Sequence, residues 1–423
     1  MHSLLAVILA GGTGERLSIL SQARAKPAVP FAGKYRIIDF TISNCVNSGI
    51  YNILVLTQYQ PVSLTEHIGV GTPWGLVPPD RSIRLLQPYL ARDEGRDWYK
   101  GTADAVYQNL DRIEAEETQL VLVLSGDHVY KMDYTAMIDF HRENMAEVTL
   151  AVTRMPEQEL ARFGTVIIDD NGQIIRFREK VKNPESNLVS MGVYVFSRDR
   201  LRSLLEDRTG HDFGRNIFPK VASQGKVFAF QYEGYWRDIG TVDSYWQANM
   251  EILAMSQAFL SDIDWPLYTR EREGPPTKVC NTASVTNCLI SDGCKIEGQV
   301  ERSILSPGVQ IQEGAIVRDS IIMNDTIVGR DSVINTTILD KEVFVQPQCH
   351  IGTGNDYHIN RSNPNVLKTG LTIVGKGAVI PPGTKIGRNC IIYDSVAEDD
   401  FPNSEIPSGE TIKPKRKPIR IRA

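Results

Sequence analysis

Cysteine and histidine are scarce in this chain, six and seven among 423 residues, and neither is spaced for a metal site or a disulfide framework. Cys45, Cys280, Cys288, Cys294, Cys349 and Cys390 include no C-x-x-C pair, so reduced thiols in a cytoplasmic protein are the expectation. Long apolar runs are missing too. Leu4–Leu9 is too short to span a membrane and lacks the preceding basic residues of a signal peptide. Nor is there an excess of positive charge: 46 Lys and Arg stand against 51 Asp and Glu, a net −5, which argues against nucleic-acid and membrane-surface partners. Two familiar nucleotide signatures are absent as well. The first glycine loop is not followed by Gly-Lys-Ser/Thr, and it misses the G-x-G-x-x-G dinucleotide spacing.

What is present suits a soluble protein of two or three domains, with 42% hydrophobic and 23% charged residues. In the first half, short apolar runs alternate with helical spacing. Ala6–Ala10 runs into Gly11-Gly12, Asn52–Thr57 repeats the pattern, and Leu120–Leu124 leads into Ser125-Gly126-Asp127. Thr102–Glu116 between them reads as a helix, Thr149–Arg154, Thr165–Ile168 and Gly192–Phe196 as further strands, and Ser244–Met255 as a closing helix. Strands alternating with helices predict an α/β domain with a mostly parallel sheet over residues 1–260, followed by a proline-containing linker, 261–277.

The second half changes period. Cys288, Cys294 and Val300 are six apart, and so are Leu305, Ile311 and Val317, then Ile322, Val328 and Ile334, then Leu339, Val345 and Ile351. Equivalent members recur every seventeen residues, and after an insertion at 353–371 the pattern resumes at Val374, Ile380, Ile386 and Ile392. A six-residue apolar period fits neither a helix nor an alternating strand. It predicts a left-handed parallel β-helix of hexapeptide repeats over 278–396, each short strand forming one wall of a triangular coil. Residues 397–423 form a basic tail.

Chemistry is concentrated in a few places. Gly11, Gly12 and Gly14 let backbone N–H groups approach a phosphate without a Cβ in the way, with Arg16 just beyond. Arg24-Ala-Lys26-Pro27 adds a cation fixed before a proline. Asp127 follows the carboxyl end of a central strand, where open α/β sheets bind ligands, and a carboxylate there suits Mg²⁺ alongside substrate phosphates. Asp238, in Trp236-Arg237-Asp238-Ile239-Gly240, is a second acid far away in sequence. His128 beside Asp127 reads as structural.

Together with Gly33-Lys-Tyr-Arg-Ile-Ile-Asp39 and Ser43-Asn-Cys-Val-Asn-Ser-Gly49, these segments resemble the amino-terminal motif set of the sugar nucleotidyltransferase family. Trp98–Asn109 and His211-Asp-Phe-Gly214 are similar to its glucose-1-phosphate adenylyltransferase branch, and Ser190–Phe196 and Tyr235–Thr241 belong with them. The resemblance implies a Rossmann-like nucleotidyltransferase domain that forms ADP-glucose and pyrophosphate from ATP and glucose 1-phosphate, for glycogen or another α-glucan. It assigns Arg16 and Lys26 to the triphosphate, Asp127 and Asp238 to Mg²⁺, and Gln58 and Gly101 to the adenine side. Tyr99, Gly164, Glu179, Lys180, Ser190, Asp212 and Trp236 would form the sugar-phosphate pocket, with Lys180 on the phosphate. It also implies a homotetramer. An anionic metabolite effector could bind near Arg36 and the basic tail.

The chain departs from the family pattern at Ile19 and Val181, where proline is frequent, and at Ala23, where members activated by sugar phosphates often carry a basic residue. Three other readings stay open at this point: transfer from UTP, dTTP or GTP, a catalytically silent regulatory subunit, and an acyltransferase role for the β-helix. The Arg- and Asp-rich stretch before Tyr99 reads as a mobile loop.

Overall fold

The computed structural model describes residues 4–12, 14–88, 98–207, 210–255 and 259–415. The charged stretch 91–97 and the end of the basic tail, 416–423, lie outside the described residues.

The chain divides into two compact units, one made of Met1–Thr13, Ile37–Arg237 and Ile263–Tyr268, the other of Gly14–Arg36, Asp238–Asp262 and Thr269–Ala423. The first unit is built on a nine-stranded sheet. Leu4–Ala10 lies at its centre, parallel to Asn52–Thr57 on one side and Leu120–Ser125 on the other. Ser82–Leu86 continues the parallel set. Leu188–Ser197 then joins antiparallel to Leu120–Ser125 and Val148–Arg154, so the sheet is mixed but mostly parallel on the nucleotide-loop side. The three predicted apolar runs are strands because both faces are covered: Leu5, Val7, Val121, Val123, Leu54 and Leu56 pack on one face in a core with Val106, Phe196 and Phe213, and Ala6, Ile8, Ile53, Val55, Leu122 and Leu124 are fully buried on the other.

One predicted helix is broken. Instead of running through Thr102–Glu116, it stops at Gln108 and restarts at Leu110. Asn109 causes the break. Its backbone leaves helical geometry at φ −112°, and its side-chain amide donates to the Ala105 carbonyl at 2.8 Å and to the Tyr99 hydroxyl at 3.0 Å.

In the second unit, the hexapeptide period appears as three parallel sheets that wind together as a β-helix. Leu305, Ile311, Val317, Ile322, Val328, Ile334, Leu339, Val345 and Ile351 are all fully buried in its interior. Ile311 pairs with Val328 and Val317 with Ile334, the seventeen-residue coil expected. Between Ile296 and Val300 the coil is two residues short. Ile296 pairs with Ile311 and Val285 with Val300, so Ile290 and Ile296 fill the wall positions expected for Cys288 and Cys294. Cys294 still turns inward, 2% exposed, with its thiol donating to the Ser306 carbonyl at 3.3 Å. Strands Glu405–Ile406 and Thr411–Ile412 add a further coil past the Val374–Ile392 run.

Helix Val242–Ala254 lies within the same unit. Thr241 caps it: its hydroxyl accepts from the Ser244 N–H, and the Ser244 hydroxyl accepts from the Thr241 N–H at 2.9 Å. Trp246 ties the helix to the coil by donating its indole N–H to the Asp319 carbonyl at 2.9 Å.

Candidate active site

The Gly11-Gly12 loop leaves the carboxyl end of Leu4–Ala10 and opens onto a cavity of about 260 Å³ in the first unit. Gln58, Tyr99, Gly101, Asp127 and Asp212 line the same cavity, so seven of the predicted residues converge there. Tyr59, Lys100, Thr102 and Ser125 line it too, although the sequence assigned them no role. Backbone geometry explains the glycines. Nothing stands within 4 Å of a Cβ built on Gly12, so that backbone faces open space, whereas a Cβ on Gly126 would reach Ile8 at 2.9 Å. Gly126 also donates to the Leu9 carbonyl at 3.0 Å, which ties the Ser125-Gly126-Asp127 turn to the end of the neighbouring strand.

Two motifs quoted separately from the sequence are clasped together. The carbonyl of His211 accepts from the N–H groups of Ala103 and Asp104 at 2.9 and 3.1 Å. The Thr102 hydroxyl donates to Asp212 Oδ2 at 3.1 Å and accepts from the Phe213 N–H at 3.0 Å. Gly101 is required for this approach, because a Cβ there would stand 2.3 Å from the His211 oxygen. Gln58 pins the start of the same segment: its Oε1 accepts from the Tyr99 N–H at 2.6 Å. Tyr59 stacks on Trp98 with ring centroids 5.2 Å apart.

Gly164, Glu179 and Lys180 come together on a pair of antiparallel strands, with Glu179 opposite Gly164. Lys180 Nζ lies 3.3 Å from Glu179 Oε1, and its backbone is in the left-handed region at φ 52°, a strained conformation for a residue with a long side chain. Ser190 sits where strand Leu188–Ser197 bulges, and its hydroxyl donates to the Tyr194 hydroxyl at 3.4 Å. Trp236 is buried against Phe163 and His128, and its indole N–H has no hydrogen-bond partner among the described residues.

His128 is anchored through one of its ring nitrogens. Its Nδ1 lies 3.0 Å from the Met191 carbonyl, which can only accept, so that nitrogen carries a proton. Nε2 stands 3.5 Å from Asp127 Oδ1. Asp39, at the end of one quoted motif, is fully buried and bonded to His67 Nε2 at 2.6 Å, which removes it from any ligand.

The remaining predicted residues lie in the second unit. Gly14 takes φ 67° and starts the turn that carries Arg16, whose side chain is exposed. Lys26 is buried, with its Nζ 3.2 Å from Asp238 Oδ1.

Residues 5–255 match the nucleotidyl transferase family model, and residues 275–374 match that of the GlmU-like C-terminal hexapeptide. A glucose-1-phosphate adenylyltransferase of Thermomicrobium roseum is 50% identical over 98% of both chains. Proteins of the same name from Thermotoga neapolitana and Acetivibrio thermocellus are 45% and 42% identical, over 98% and 97% of this chain and 100% and 98% of theirs. The chain belongs to the glucose-1-phosphate adenylyltransferases. For an adenylyltransferase of this family the clasp between residues 101–104 and 211–213 is informative, because it joins the two segments that the sequence reading linked to that branch. No helix among the described residues is long and apolar enough to cross a membrane.

Proposed function

We propose that this chain transfers the adenylyl group of ATP to α-D-glucose 1-phosphate, forming ADP-glucose and pyrophosphate in the cytoplasm for α-glucan synthesis. Its full-length likeness to proteins named for that reaction carries the reading. The convergence of Gly11, Gly12, Gln58, Tyr99, Gly101, Asp127 and Asp212 on one cavity supports it.

The chemistry asks little of a general base. A phosphate monoester has a second pKa of about 6, so glucose 1-phosphate is already largely dianionic at neutral pH. One of its oxygens attacks the α-phosphorus, the bond to the β-phosphate oxygen breaks, and pyrophosphate leaves with the electron pair. Bringing two polyanions together is the difficulty, and charge neutralisation with positioning supplies the catalysis. Arg16 and Lys26 balance the departing pyrophosphate. Lys180 holds the sugar phosphate, and Glu179, Ser190, Tyr99, Asp212 and Trp236 orient the glucose. A ligand hydroxyl would satisfy the unpaired Trp236 indole N–H, whose isolation costs about 1–3 kcal/mol.

Asp127 and Asp238 are the residues that would hold Mg²⁺. Their carboxylate oxygens are the hard donors this ion takes, and the Asp127 side chain is 27% exposed, accessible to a ligand. When bound, Mg²⁺ offsets negative charge on the phosphates. We propose a homotetramer, which light scattering behind gel filtration would test against four chain masses. An anionic effector bound near Arg36 is tested by rate measurements with fructose 1,6-bisphosphate, 3-phosphoglycerate, fructose 6-phosphate and pyruvate, and an unchanged rate with all four removes it.

The partition of KM between variants tests the assignment of the two substrates. Gln58→Ala should raise KM for ATP, and Lys180→Ala should raise KM for glucose 1-phosphate. The reverse pattern would overturn the assignment.

A further inference from the structure

We infer that Asp340 of the β-helix is a positioning residue for Lys26, acting through Arg24. The inference deepens the proposed function and rests on the role given there to Lys26.

Every group involved lies in the second unit. The Arg24 guanidinium meets Asp340 as a fork, Nη1 to Oδ1 and Nη2 to Oδ2, both at 2.9 Å. The two side chains are 5% and 0% exposed. Asp340 is itself held on three sides. Its N–H donates to the Val374 carbonyl at 2.9 Å, its carbonyl accepts from the Thr326 hydroxyl at 2.8 Å, and its Oδ1 accepts from the Lys341 N–H at 2.7 Å. The anchor is therefore rigid.

The chain between Arg24 and Lys26 is rigid as well. Ala25 is extended, and Lys26 opens a tight turn in which Ala28 N–H reaches the Ala25 carbonyl at 2.9 Å. Pro27 locks its own φ inside that turn. Beyond the turn, Tyr245 donates its hydroxyl to the Pro30 carbonyl at 2.6 Å, and Ala32 N–H donates to Asn249 Oδ1 at 2.9 Å. Lys26 thus sits between two fixed points, Asp340 before it and helix Val242–Ala254 after it. Its Nζ lies 3.2 Å from Asp238, so both the backbone and the tip of the side chain have set positions.

Stability alone is a weak reason for such a pair. Buried ion pairs often contribute no more than well-packed apolar residues of the same volume, whereas a two-point fork fixes direction. A shift of about 1 Å in a group that must meet a reacting phosphate can lower a rate by as much as a hundredfold.

A double-mutant cycle on kcat tests the inference. Asp340→Asn and Arg24→Lys are each measured with Lys26 present and in a Lys26→Ala background, using labelled glucose 1-phosphate and high enzyme concentration to read slow rates. With Lys26 present, each should lower kcat by about tenfold to a hundredfold. In the Lys26→Ala background each should change it by less than about twofold, because what Asp340 positions is already gone. Equal losses in both backgrounds would mean a general structural role, and no loss with Lys26 present would mean none; either overturns the inference. If Asp340→Asn does not fold, Arg24→Lys, which keeps the charge but not the fork, is read by the same criteria. Full activity of Lys26→Ala alone would instead sink the role of Lys26 itself, a result distinct from the other two.

Discussion

Gly214 gives Glu179 its place: a Cβ at residue 214 would stand 2.7 Å from Glu179 Oε2. Gly164 bounds the same carboxylate, since a Cβ there would also come to 2.7 Å of Oε2. The acid is held in a gap that two glycines leave open. The tip of a glutamate side chain can move, so Gly214→Ala should displace the carboxylate rather than unfold the unit. We expect KM for glucose 1-phosphate to rise by roughly tenfold, the equivalent of one charge-assisted hydrogen bond, with KM for ATP and the melting temperature little changed. Steady-state kinetics with each substrate varied in turn checks this.

Gln58 holds Tyr99 through a 2.6 Å bond from the Tyr99 N–H to its Oε1. Removing it frees the start of the 99–104 segment that lines the cavity. Gln58→Ala should cost about 1–2 kcal/mol in kcat/KM for ATP, whereas Gln58→Glu, which keeps the acceptor, should retain most of the rate.

Acid should weaken the first unit through His141. It is 3% exposed, and its Nδ1 meets the Thr149 hydroxyl at 2.9 Å. Burial, with Arg142 nearby, pushes its pKa down from 6.5 to about 4. The unfolded chain therefore takes up a proton that the folded one refuses. The contribution is intact above pH 6.5, drains away as the pH falls towards 4 and is lost below that. Denaturant titrations between pH 7 and 4 should show a shallower decline for His141→Gln, which has no proton to gain.

The opposite sign applies to Asp394. Burial, together with the charge of Asp340, raises its carboxyl pKa from 3.8 to about 6. A raised acid favours the folded state in full below pH 3.8, and that advantage drains away between 3.8 and 6 and is gone above that. Asp394→Asn should therefore raise the melting temperature at pH 8, raise it by about half as much at pH 5, and leave it nearly unchanged below pH 3.8.

The β-helix was the most legible feature of the sequence because each coil repeats the same demand for a buried apolar residue. From Leu305 to Ile351 every periodic position is interior. Cys288 and Cys294 fall out of register with the walls because Val300 lies only four positions after Ile296 where later coils step by six, and the spacing from Cys294 to Val300 hides this. The helix break at Asn109 was hidden for a different reason, since a side chain that competes with the backbone leaves the apolar spacing intact. Half of the fourteen residues that line the cavity could be read from motifs, while Tyr59 and Ser125 sat one residue from positions already singled out. The Arg24–Asp340 fork was out of reach, because its partners are 316 residues apart and no local pattern joins them.

The most direct test of the whole account is pyrophosphate release from the purified protein with glucose 1-phosphate, Mg²⁺ and ATP, UTP, dTTP or GTP in turn, beside Asp127→Ala. The account predicts release with ATP, formation of ADP-glucose and loss of both in the variant. Release with another nucleotide but not ATP, or none with any nucleotide from the folded protein, would contradict it.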